Sequence, residues 1–301
     1  MRYGYACINL TLAAQKIVVN RAMIKRTFTE KGIAYASTLA LANFIDLEKV
    51  IDWNIRNKIL FYRMSSDMVP WMSEYEIADL PDYEAIRQVL ARCGKKANES
   101  GMRLSYHPGP FNVLASSNQN VLLRTIKELR QHAEIMDMMH VAVTPFSKIN
   151  IHVGGAYGDK MTALARFAEN FVRLPTSTMK RLTIENDDKI NMFSVKDLLW
   201  LNQQVNIPVV FDYFHHKFCT GGLSEKEALL AAINTWPGNI IPVVHFSSSR
   251  KTYEDPLTTT TPHADYVYEK VNTYKKAMDI MFEAKAKELA LIKYEREIAG
   301  S

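Results

Sequence analysis

A single (β/α)8 barrel of the TIM type is the fold class this sequence predicts, and three observations carry it. Eight short apolar runs of strand length recur along the 301 residues. Between them lie longer segments whose apolar residues return at the helical period. After the first run, ACINLTLAAQ stands where an open dinucleotide-binding sheet would carry G-x-G-x-x-G.

The runs are RYGYACI from Arg2, ILFYRMSS from Ile59, RLSYHPG from Arg103, KINIHVGG from Lys148, RLTIEND from Arg181, PVVFDYF from Pro208, IPVVHFSS from Ile241 and DIMFEAK from Asp279. The helical segments follow in turn: TLALANFIDLEKVIDWNIR, EAIRQVLARC, NVLLRTIKELRQHAEIMDMM, ALARFAENFV, VKDLLWLNQQV, KEALLAAINTW and YVYEKVNTYKKAM. A parallel strand must be reached by a crossover, and eight such units close into a barrel. Ser194 before VKDLLWL, and Ser224 with Glu227 three residues on, have the spacing of helix starts. The tail AKAKELALIKYEREI predicts a terminal helix over about residues 284–298. No Pro-, Gly- or Ser-rich linker interrupts the pattern, so residues 1–301 read as one domain.

At 48% hydrophobic residues the chain can bury a large core, and its charges, 23% of residues with a net +5, are mixed in sign. That balance permits a polyanionic partner without requiring one. Cys7, Cys93 and Cys219 are too few and too scattered for a disulfide framework or a thiolate metal site, which fits a reducing cytoplasm. MRYGYACINL enters a strand pattern without a charged leader, and no run approaches the ~20 apolar residues of a membrane span. A chain neither secreted nor membrane-bound is expected.

In such a barrel the C-terminal strand ends share one face, where the chemistry is assembled. His107 ends the third run, His152 the fourth, Glu185 the fifth, Asp212 the sixth with His215 just beyond, His245 the seventh and Glu283 the eighth. His263 follows in TTTTPHADY, so five of the eight histidines share this face with three carboxylates. Burying so many ionisable groups is costly without a compensating cation. Imidazole and carboxylate donors suit Mn²⁺, Zn²⁺, Fe²⁺ or Co²⁺, and eight donors exceed what one ion uses. Two or three divalent ions are expected, with manganese, zinc or another transition metal all open, and hydrolysis of a phosphodiester is the leading chemistry. His132 and His140 belong to a helix away from that face and read as structural. GGAYGDK lacks the GK[ST] end of a phosphate loop and reads as a tight turn.

Taken in order, GYACINLTL, LSYHPG, HVGGAYGDK, IENDD, VVFDYFHH, VVHFSS, PHADYV and FEAKAKE resemble the motifs of the UV damage endonuclease family, from residue 3 to about residue 290. The wider superfamily holds endonuclease IV and the xylose-isomerase-like barrels. The resemblance implies a metal-dependent DNA repair enzyme that nicks damaged double-stranded DNA immediately 5′ of pyrimidine dimers, (6-4) products or abasic sites. It implies 3′-hydroxyl and 5′-phosphate ends and no nucleotide cofactor; a cytoplasmic monomer that meets the nucleoid through DNA is expected, since tracking one lesion needs only one copy. Carried over by motif, His107, His152 and Glu185 would hold one ion, Glu185, Asp212, His245 and Glu283 a second, and His215 with His263 a third.

The same resemblance places Tyr5 and Asn9 against an extruded lesion, and Pro110 with Phe111 where the family's Gln-Tyr pair probes the gap. Proline cannot offer glutamine's amide hydrogen bonds, whereas Phe111 can still wedge between bases. Lys160 and Lys285 would meet phosphates, His216 the substrate or a ligand, and Asp67 the edge of the site. Asp265 would orient His263. Val243 stands where relatives can carry a lysine, which weakens the case for a third ion. The rival reading is a metal-dependent sugar isomerase or epimerase on the same barrel.

Overall fold

The structure is a computed structural model and describes residues 1–299. Its strands are β1 (Tyr3–Ala6), β2 (Phe61–Arg63), β3 (Arg103–Ser105), β4 (Ile149–His152), β5 (Leu182–Glu185), β6 (Val209–Asp212), β7 (Val243–Phe246) and β8 (Asp279–Phe282). All eight lie within the predicted runs. They pair in parallel in the order β3-β2-β1-β8-β7-β6-β5-β4. The ring is completed at Tyr106, whose N–H donates to the Lys148 carbonyl at 2.9 Å and whose carbonyl accepts from Asn150 N–H at 2.9 Å.

The crossovers are the helices Lys25–Arg56, Tyr83–Ser100, Gln119–Met138, Lys160–Phe171, Val195–Val205 and Glu225–Ile233. Ser194 and Ser224 open the last two with reciprocal capping boxes to Asp197 and Glu227. Between β7 and β8 the predicted helix YVYEKVNTYKKAM is absent, and only the four-residue helix Arg250–Tyr253 occurs there. Val267, Val271 and Met278 are buried at intervals that mimic a helix. They sit instead on an extended strap fastened by side chains: Tyr213 Oη donates to the Asn272 carbonyl at 2.8 Å, and Val271 N–H to Tyr294 Oη at 3.2 Å. Left-handed backbone at Tyr274 (φ 49°) and Lys275 (φ 61°) rules out a helix through them. The terminal helix starts at Lys287 rather than near 284, and ends at Tyr294 in a π-turn.

Alternate residues of each strand face the barrel interior. Its lower half packs Ala6, Phe61, Val210, Val243 and Met281 with Trp236. Gly4 makes room there, because a Cβ on it would lie 2.7 Å from the Phe61 ring. The floor is Arg103, fully buried, which donates to the carbonyls of Pro145, Phe146 and Ile241 at 2.8–2.9 Å and pairs with Asp279 at 3.1 Å. Apolar faces of strands and helices form the larger core outside the ring. No helix among the described residues is long and apolar enough to cross a membrane.

Candidate metal centre

The interior positions at the upper strand ends are polar: Arg63, His107, His152, Glu185, Asp212, His245 and Glu283. Glu185, fully buried, stands in the middle. Its Oε2 lies 3.1 Å from His107 Nε2 and 3.0 Å from His245 Nδ1, and Oε1 lies 3.5 Å from His215 Nδ1. Glu283 Oε1 is 3.1 Å from the same His245 nitrogen. Donor atoms of His107, Glu185, His245 and Glu283 converge within 4.8 Å of one another, as do those of His152, Glu185 and His215.

Local sequence explains how these groups are held. In IEND, Asn186 joins β5 to β6: its Oδ1 accepts from Asp212 N–H at 2.8 Å and its amide donates to the Asp212 carbonyl at 3.1 Å. Its own carbonyl faces His215 Nδ1 at 2.9 Å. Asp187 stands 3.1 Å from His152 Nδ1. Asp212 caps the short helix Tyr213–His216, Oδ1 accepting from Phe214 and His215 N–H at 2.7 and 2.8 Å. That cap turns His215 toward Glu185, while His263 Nδ1 is held by the Glu283 carbonyl at 2.9 Å.

Electrostatics separate the histidines. Burial pushes His107 down to about 4 despite the nearby Glu185 carboxylate. For His152 burial acts in the same sense but is outweighed by Asp187 and Glu185, which raise it to about 9. His215 rises to about 10 against burial, through Asp212, Glu185 and Glu283. His152 and His215 thus lie where positive charge is favoured, beside carboxylates that a cation would balance.

The family model described as UV-endonuclease UvdE matches residues 1–301. The chain belongs to this family. A UV DNA damage endonuclease of Clostridium perfringens is 33% identical over 97% of this chain and 69% of its own length. The crystal structure of SacUVDE superposes with a TM-score of 0.84 and 32% identity, covering 98% of this chain and 97% of that one. A D-psicose 3-epimerase from Clostridium cellulolyticum H10, 9% identical with a TM-score of 0.56 over 94% of this chain and 85% of its own, shares the fold alone.

Metal ions fit the residues of this UvdE-family site. Glu185 Oε1, Asp212 Oδ2 and His245 Nδ1 are buried without an aligned hydrogen-bond partner among the described residues, and the donors are all imidazole or carboxylate. The grouping differs from the one expected: His107 joins His245 and Glu283, and His152 joins His215, because the two Glu185 oxygens face opposite sides. Asp212 and His263 flank these sets without entering them.

Several expected contacts fall elsewhere. Tyr5 and Asn9 are buried, with Asn9 Nδ2 donating to Tyr5 Oη at 2.9 Å and Tyr5 Oη to Asn54 at 2.8 Å, so neither meets the groove. His216 packs beneath the site on Phe211, ring centroids 5.3 Å apart. Lys160 pairs with Asp197 at 3.2 Å, and Asp265 faces Arg250 at 3.9 Å rather than His263. Pro110, Asp67 and Lys285 are exposed, and Phe111 is 88% exposed. His132 lies buried in its helix, Nδ1 2.8 Å from the Glu128 carbonyl, and His140 ends that helix.

Sequence reasoning missed Asn150, which donates to Glu185, Lys148, whose Nζ lies 3.3 Å from His245 Nε2, and Arg63, which pairs with Glu283. The period of two was the available signal. Lys148 and Asn150 lie four and two residues before His152, and Arg63 is the last inward residue of β2.

Proposed function

We propose that this chain is a metal-dependent endonuclease that cuts damaged double-stranded DNA at the phosphodiester immediately 5′ of ultraviolet photoproducts, leaving 3′-hydroxyl and 5′-phosphate ends. One observation carries the reading: Glu185 belongs at once to two donor sets at the mouth of a UvdE-family barrel. His107, Glu185, His245 and Glu283 would hold one divalent ion and His152, Glu185 and His215 a second. A third would draw on Asp212 and His263. Manganese is the first choice and zinc the second, since neither requires thiolate.

Such ions supply an activated water and neutralise phosphate oxygens. The chain's part is position. Glu185 fixes the separation of the two sets, Asn186 and Asp212 hold the β5 and β6 ends together, and Asp187 and the Glu283 carbonyl aim His152 and His263. The 390 Å³ groove beside His152 and His215 is walled by Pro110, Gly154, Gly155 and Lys189. Gly154 and Gly155, both left-handed at φ 61° and 62°, bring bare backbone to its edge, where a phosphate can approach closely.

Phe111 projects from the loop after β3 and can enter a gap in the base stack once a lesion has been rotated out. Abasic sites, which leave such a gap ready-made, are included among the substrates proposed.

The test is nicking of ultraviolet-irradiated supercoiled plasmid with Mn²⁺, with and without chelator, beside Glu185→Gln and metal analysis of both proteins. Cutting that depends on irradiation and metal, at least 100-fold reduced in Glu185→Gln, is expected, on the scale of losing one preorganised electrostatic group. Undiminished nicking by the variant, or active enzyme free of transition metal, refutes the reading.

A further inference from the structure

Arg103, Arg181 and Arg63 all carry side chains sunk into the protein, but they are served very differently. Arg103 has three carbonyls and a carboxylate. Arg181 has the carbonyls of Ala133, Val141 and Ala142 together with Asp137 and Ser177. Among the described residues the Arg63 side chain makes a single hydrogen bond, from Nη1 to Glu283, although it is only 13% exposed. Its Nε is buried with no partner among the described residues.

A guanidinium carries five N–H donors in a rigid plane, and buried donors left empty are costly. Arg63 ends β2 on the interior side, in the ring of residues that forms the candidate metal centre. Its one partner, Glu283, also belongs to the set with His107, Glu185 and His245, so that carboxylate's charge is shared and does not cancel the guanidinium.

We infer that Arg63 is a further catalytic residue, whose unfilled N–H groups grip the non-bridging oxygens of the phosphate being cut. This rests on the endonuclease reading above. A planar fork matches two phosphate oxygens in a way that a lysine point charge does not. Charge developing on those oxygens during displacement then meets a fixed cation that needs no reorganisation.

Arg63→Met and Arg63→Lys test the inference on a duplex oligonucleotide with one pyrimidine dimer, made with either an ordinary phosphate or a methylphosphonate at the cut linkage. Metal content by plasma emission, single-turnover rate and binding are measured for the wild type and both variants. Wild-type metal content is expected in both, with the rate about 100-fold lower in Arg63→Met. Arg63→Lys, the milder variant should the first fail to fold, is expected to lose about 10-fold for want of the fork. Methylphosphonate should weaken wild-type binding about 10-fold more than it weakens Arg63→Met binding, as losing one charge-assisted contact beyond those to the ions would.

If metal is lost from both variants, or if the methylphosphonate weakens wild type and Arg63→Met alike, Arg63 only balances Glu283 and the phosphate contact is wrong. Wild-type enzyme that cuts while the variants cut equally well sinks the contact alone. Wild-type enzyme that does not cut the lesion duplex sinks the endonuclease reading and the contact together.

Discussion

Phe111 and His132 show how burial divides roles between side chains of the same region. Phe111 is 88% exposed, at the tip of the loop that follows β3, so its ring is free to meet a partner. Phe111→Ala is therefore expected to leave metal content and melting temperature unchanged while weakening binding to a dimer-containing duplex about 10-fold, the scale of one stacked base. Equal lesion affinity in a fluorescence titration would remove Phe111 from the DNA interface.

His132 is the opposite case. Burial holds it at about 4, edge-on to the Tyr106 ring at 4.6 Å, with Nε2 unpartnered. An unfolded histidine takes up a proton near pH 6.5, but the folded one does so only near 4. Its contribution to stability is thus complete above 6.5 and is lost as pH falls through that window, at up to about 1.4 kcal/mol per pH unit. Urea titrations at pH 7.5 and 5 should show this loss in wild type and a smaller one in His132→Leu.

At the scale of elements, the C-terminal helix reaches back to the start of the chain. Glu288, fully buried, accepts from the N–H groups of Leu10 and Thr11 at 2.9 and 2.7 Å and from the Thr11 hydroxyl at 3.0 Å. Glu288→Ala strands three donors and is expected to cost about 2–4 kcal/mol in a denaturant melt. The same reach bears on Tyr5 and Asn9, which the resemblance sets against the lesion and which lie buried in the structure: a strand end looks open until a distant segment folds over it. The strands were legible because each is a short apolar run closed by a polar residue. The strap after β7 was not, since three buried residues at helical spacing say nothing about whether the backbone between them is bonded to itself or to neighbours. Within the candidate metal centre, the polar residues at and beyond strand ends were legible as a cluster on one face. Lys148 was hidden because at the entrance of KINIHV it looks like an ordinary surface lysine.

For the whole molecule, ring closure depends on small residues and on satisfied charges in the interior. Gly4→Ala should destabilise the barrel by about 1–3 kcal/mol, because the added methyl meets both the ring and the backbone carbonyl of Phe61 at 2.7–2.8 Å. A thermal melt of the variant, unchanged within a degree, would show that β1 and β2 can part without loss. Arg103 at the floor and Glu185 at the mouth are both fully buried, yet they lie at opposite ends of the strands. Stability and chemistry therefore sit at different heights in one tube, which lets the upper ring of residues stay underpaired while the lower one is complete.

The single-residue join at Tyr106 divides the same ring in another way. β3 and β4 are linked by two hydrogen bonds through one residue, whereas β7 and β8 are in register over four residue pairs. This thin seam runs between the strand that carries His107 and the strand that carries His152, which belong to different donor sets. Local opening there would widen the distance across Glu185 without unfolding any helix, so the spacing of the two sets has a built-in expansion joint. Hydrogen exchange should find the Asn150 amide among the first barrel amides to exchange, and slowest when divalent cation clamps the two sides together.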